Sequence, residues 1–102
     1  MPRARRTESA EADLQEIAFQ IAVRDQRPAT ADRVIDELIE QCERLAQHSE
    51  TSIQGTAASE LGDNVRLFSY RRWVIVFRYE AHGVDILRIG DGNQDYMSRR
   101  LA

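Results

Sequence analysis

Between Leu61 and Tyr96 the chain carries three short apolar runs in succession, and each has an arginine inside it. Arg66 sits in Val65-Arg66-Leu67-Phe68, Arg78 in the run Trp73–Tyr79, and Arg88 in Val84–Ile89. Runs this short, rich in branched and aromatic residues, predict strands over Val65–Ser69, Trp73–Tyr79 and Val84–Ile89. The separators Tyr70-Arg71-Arg72 and Glu80-Ala81-His82-Gly83 are short enough for hairpin turns, with Gly83 able to take positive φ. Strands joined this way form an antiparallel meander. Alternation places Trp73, Ile75, Phe77 and Tyr79 on one face, and Val74, Val76 and Arg78 on the other. Both faces are apolar enough to need cover, so a partner chain is expected on the face that helices leave open.

Two helices are expected before the meander. Leu14, Ile17, Ala18, Ile21 and Ala22 recur at helical spacing, with Ser9 as the candidate N-cap and Glu11 and Asp13 suited to the positive end of the helix dipole. Arg24–Pro28 ends this helix, because the residue before proline resists helical geometry. The second helix begins with Pro28 as its first residue or Thr30 as its cap. Its stripe is Ala31, Val34, Ile35, Leu38, Cys42, Leu45 and Ala46. The short link predicts an antiparallel helix hairpin. Residues His48–Ser59 read as a polar loop, and Arg3–Glu8 as a short edge strand whose arginines suit an edge. The expected fold class is therefore α+β: a short N-terminal strand, a helix hairpin, then a three-stranded antiparallel meander, with residues 1–102 forming one domain.

Composition excludes several functions. The chain has 102 residues, enough for one modest core. No apolar run approaches the ~20 residues of a membrane span, and Met1–Arg6 lacks the apolar stretch of a signal peptide, so a cytoplasmic protein with no membrane association is expected. A single cysteine, Cys42, rules out an intrachain disulfide and falls at a core position. The net charge of −3 argues against direct, sequence-specific nucleic-acid binding, which draws on a basic surplus. All 14 basic residues are arginine, so no lysine can act as a base or Schiff-base nucleophile.

Candidate sites are few. Asp91-Gly92-Asn93-Gln94-Asp95 opens like a calcium loop, but Tyr96 stands where the turn glycine belongs and Ala102 where the bidentate glutamate belongs. His48 and His82 lack metal-ligand spacing, and neither a metal nor a cofactor is expected. Tyr70-Arg71-Arg72-Trp73 mixes cations and aromatic rings, and reads as a solvated hairpin tip beside a core tryptophan. Arg66 and Arg88 are expected near each other across the sheet, where clustered arginines would hold a carboxylate or phosphate; separate ion pairs are the alternative.

The order strand, helix, helix, three strands, with Ala12-Asp13-Leu14-x-x-Ile17, Glu60-Leu61-Gly62 before Val65-Arg66, Trp73–Tyr79, Ile86-Leu87-Arg88-Ile89 and Gly92-x-x-Asp95, resembles the ParE branch of the RelE/ParE toxin family. The likeness spans roughly residues 10–96. It implies the toxin half of a type II toxin–antitoxin pair, in hetero-oligomeric complex with a cognate antitoxin and poisoning DNA gyrase by binding rather than as an enzyme. The antitoxin-binding residues it points to are Arg66, Tyr70, Trp73 and Arg88, and the target-binding residues Asp95, Tyr96, Arg99 and Arg100. The RelE branch instead cleaves messenger RNA on the ribosome; here that role would fall to Arg66, Arg71, Arg88 and Tyr96. Two features favour the gyrase branch: the chain has no lysine, and Gln94 stands where many relatives carry arginine. A third reading is a non-toxic relic that only binds its antitoxin.

Overall fold

The computed structural model describes residues 2–48 and 53–92. The chain runs β1 (Arg3–Arg6), α1 (Glu8–Phe19), a π-helical turn (Gln20–Arg24), α2 (Pro28–Gln47), β2 (Thr56–Ala57), a 3₁₀ turn (Ser59–Leu61), β3 (Val65–Tyr70), β4 (Trp73–Glu80) and β5 (Gly83–Asp91). The five strands form one sheet in the order β1-β5-β4-β3-β2. All neighbours are antiparallel except β1, which lies parallel to β5. The helix pair and the meander are those expected from the sequence.

The local chemistry differs in places. Thr7, not Ser9, caps α1: its hydroxyl accepts the Ala10 N–H at 3.1 Å. The helix begins two residues earlier than expected because β1 stops at Arg6 and Thr7 takes extended geometry. At its other end α1 widens into the π turn, where the Asp25 N–H reaches back to the Gln20 carbonyl. No residue of that turn is buried, so Ile21 and Ala22 are only half-covered. Gln26 then reverses the chain with φ of 57°, and Pro28 opens α2 at its first turn. Thr30 therefore lies inside the helix.

The segment expected to be a featureless loop holds β2 and runs into the 3₁₀ turn. β2 extends the sheet beyond β3, and the segment after it folds over the outer face. Ala58 is buried with Val65 and Val76, and Leu61 packs against them. This corrects the expectation that only a partner would cover that face: the chain covers part of it, leaving Leu67, Val74 and Leu87 half-exposed. The inner face carries the main core, in which Leu14, Ile17, Leu38, Cys42 and Leu45 of the helices meet Ile75, Phe77, Val84, Ile86 and Ile89.

A bulge sets the faces of β5. Val76 pairs with Arg88 and Phe77 with Ile86, so Leu87 is an extra residue. Strict alternation would put Arg88 on the same face as Ile86, in the core. The bulge buries Ile86 and Ile89 instead and leaves Arg88 out of the core.

At Arg6 the strand β1 ends, and the remainder of β5 loses its neighbour. Three groups of the chain's N-terminal part take over. The Thr7 N–H donates to the Ile86 carbonyl at 3.0 Å, and the Thr7 hydroxyl donates to the Leu87 carbonyl at 3.0 Å. Asp13 of α1 accepts the Ile89 N–H at 2.9 Å and the Arg88 guanidinium at 2.8 and 3.1 Å. Asp13 is mostly buried, with a side chain 16% exposed. Replacing it with alanine removes three charge-assisted bonds and takes the acceptor from the Ile89 N–H. Asp13→Ala is expected to lower stability by about 2–3 kcal/mol, read by urea denaturation.

Candidate functional site

The expected arginine cluster does not form. Arg66 and Arg88 lie on strands either side of β4 and reach different partners. Arg66 donates to the carbonyls of Gln54 at 2.8 Å and Gly55 at 2.7 Å, fastening the segment before β2 to β3. Gly55, at φ of 80°, allows this close approach, because a Cβ there would run into the Leu67 carbonyl. Arg88 is paired with Asp13 as described. Arg78 sits 3.0 Å from a Glu80 oxygen, but off the line of its Nε–H, so the contact is an ion pair without that hydrogen bond. His82 bonds Asp85 at 2.8 Å, and His48 is the exposed C-cap of α2. Among the described residues no three His, Cys, Asp or Glu side chains gather as metal ligands do. No described helix is long and apolar enough to cross a membrane.

Tyr70, Arg71, Arg72 and Trp73 come together at the β3–β4 hairpin. Tyr70 and Trp73 pair as the last and first residues of their strands, so the turn is Arg71-Arg72 alone. Arg71 takes φ of 56°, the left-handed backbone usual for glycine or asparagine. Its guanidinium donates to the Tyr70 hydroxyl at 3.2 Å and lies 3.5 Å from Glu37 of α2. The Tyr70 hydroxyl in turn donates to Glu37 at 3.2 Å. Arg72 lies over the Trp73 ring, 4.9 Å from its centroid, and pairs with Asp91 at the end of β5.

This hairpin forms one wall of an open groove of about 660 Å³. The other wall is the π turn and the start of α2. Ile21, Val34 and Trp73 supply the apolar surface, and Arg27, Arg71 and Arg72 line it with Asp25 and Thr30. The volume lies in the range of ligand-binding clefts. Of the lining residues, the sequence singles out Arg71, Arg72 and Trp73 as a basic and aromatic hairpin tip, but it does not mark Ile21, Val34 or Arg27 as groove residues. The available signal was Ile21 at the end of the α1 stripe, next to the helix-breaking Pro28. The target-binding candidates Asp95, Tyr96, Arg99 and Arg100, with Asn93 and Gln94 of the rejected calcium loop, lie outside the described residues.

Comparison with known proteins gives a consistent picture. The family model described as the ParE toxin of a type II toxin–antitoxin system, parDE, matches residues 4–96. No curated protein matches the sequence. Among solved structures, a chain of the chromosomal ParDE TA system from P. aeruginosa is similar, at 24% identity and a TM-score of 0.67, over 89% of this chain and 96% of that one. At that identity the likeness shows the fold.

Two expectations follow. Burial pushes the Cys42 thiol up to about 12. Below its ordinary value of 9.0 the thiol is neutral in both states. As pH rises from there towards 12 the unfolded thiol ionises first, so stability is lost over that window. At neutral pH a thiol reagent should label Cys42 only as fast as the chain unfolds. Arg72→Ala should uncover the Trp73 ring, red-shifting its fluorescence and increasing acrylamide quenching.

Proposed function

We propose, from the premise that this chain belongs to the ParE toxin family of type II toxin–antitoxin systems, that it is a growth-arresting toxin which inhibits DNA gyrase and is neutralised by binding its antitoxin. The observation that carries the mechanistic choice is the commitment of the arginines. Cleaving RNA through its 2′-hydroxyl requires a base, an acid and cations converging on one phosphate. Here Arg66 is bound to backbone carbonyls, Arg88 to Asp13, and Arg71 to Tyr70 and Glu37, at three separate places. The chain also has no lysine to replace them. A binding poison needs no such convergence. It needs surfaces for its target and for its inhibitor.

Tyr70 and Trp73 remain the proposed apolar anchors for the antitoxin. Arg66 is the better of the two sheet arginines for an antitoxin carboxylate, because the Gln54 and Gly55 carbonyls it bonds are neutral. Arg88, already bound bidentately to Asp13, is proposed to act on the antitoxin through the position of α1. Asp95, Tyr96, Arg99 and Arg100 are proposed to contact the target. The cytoplasm, where gyrase works, is the proposed location.

The deciding experiment is supercoiling of relaxed plasmid by purified gyrase in the presence of the folded chain. Cleaved DNA should accumulate and antitoxin should prevent it, while messenger RNA on purified ribosomes stays intact. Normal supercoiling with saturating chain would reject gyrase inhibition, and cut messenger would put ribosome-dependent cleavage in its place.

A further inference from the structure

We infer that the groove between the helix hairpin and the β3–β4 turn seats an apolar side chain of the antitoxin flanked by that partner's carboxylates, and that Arg71 occupies a strained backbone position in order to make this contact. The inference rests on the toxin–antitoxin reading above.

The groove has the chemistry for such an occupant. Half-buried Ile21 and Val34 present apolar surface with the edge of the largely buried Trp73 behind them, and Arg27, Arg71 and Arg72 stand around it against Asp25 alone among the lining acids. The apolar surface offers a phosphate backbone nothing, and the chain's net charge of −3 disfavours one, so an acidic protein segment fits better than a nucleic acid. The two hairpin arginines are also prepared for binding. Arg71 is held beside Glu37 and Arg72 by Asp91, yet their side chains stay 68% and 62% exposed. A guanidinium fixed through one edge keeps further N–H groups for a second acceptor and loses little freedom when that acceptor arrives.

The second observation is the backbone of Arg71. In a two-residue hairpin its φ of 56° would be relieved by glycine. The arginine side chain adds nothing to the core, and its own-chain contacts are a solvent-exposed hydrogen bond to the Tyr70 hydroxyl, a place over that ring and an exposed ion pair with Glu37, each a weak interaction. Backbone strain without a matching gain inside the fold points to a contact made outside it.

The test uses the full chain and, as the probe, the purified small protein encoded by the neighbouring gene. Arg71→Gly should raise the urea midpoint while weakening binding at least tenfold in calorimetry, a combination that misfolding cannot produce. Arg71→Glu combined with Arg72→Glu should weaken binding at least a hundredfold with the circular dichroism unchanged. Trp73 is the sole tryptophan, so 5-fluorotryptophan gives the toxin one fluorine resonance, which should move when the antitoxin is added. If the wild-type chain binds while the variants bind equally well and the resonance stays put, the groove assignment is overturned and the toxin–antitoxin reading stands. If the wild-type chain does not bind at all, that reading falls and takes the groove assignment with it.

Discussion

Asp13 fastens a helix to a sheet edge at the point where the edge's neighbouring strand has run out. β1 is only four residues long and gives β5 a partner no further than Ile86. Beyond it, β5 would present open N–H and carbonyl groups, a costly state for a partly buried strand. The Asp13 carboxylate takes the Ile89 N–H and both arms of the Arg88 guanidinium at once. That joint fixes where α1 crosses the sheet. The position of α1 sets that of its π turn, and with it the helical wall of the groove.

The two faces of the sheet are finished by different means. The inner face is closed by a helix pair whose apolar side chains form one continuous core. The outer face is closed in part by a segment with almost no regular structure, which Arg66 ties down through two carbonyls. A guanidinium suits this task because its rigid fork can satisfy two acceptors on adjacent residues. Arg66 and Arg88, which look like a binding cluster in sequence, are therefore each a fastener between a strand and another segment.

This explains which features were legible beforehand. The stripes Leu14–Ile17 and Ala31–Ala46 and the runs at Val65, Trp73 and Val84 repeat with the period of their own backbone, so helices and strands could be read locally. β2 could not, because a two-residue strand has no period. The bulge at Leu87 was hidden for a related reason: Ile86-Leu87-Arg88-Ile89 is compatible with either face until its register against β4 is known. The pairing of Asp13 with Arg88 spans 75 residues, and no local signal announces it. Of the candidate site, Tyr70 and Trp73 were legible as aromatic residues bracketing a turn. The opposite wall was not, since it depends on a helix widening at Gln20.

Three departures from regular backbone meet at the groove. The π turn at Gln20–Arg24, Gln26 at positive φ and Arg71 at positive φ all belong to its walls or lie next to them. α1 buries Ala10, Leu14 and Ile17 in regular turns, whereas the turn that follows buries nothing. Trp73 thus has a core on one side and a cation over its ring, in place of a third packed layer. Regular helix and a glycine hairpin would be the cheaper way to end both elements. The irregular solution costs some stability, and what it leaves is an apolar surface framed by ordered guanidinium groups. On the reading proposed above, the antitoxin gains from finding such a surface already formed in the free state, because ordering it on contact would weaken its grip.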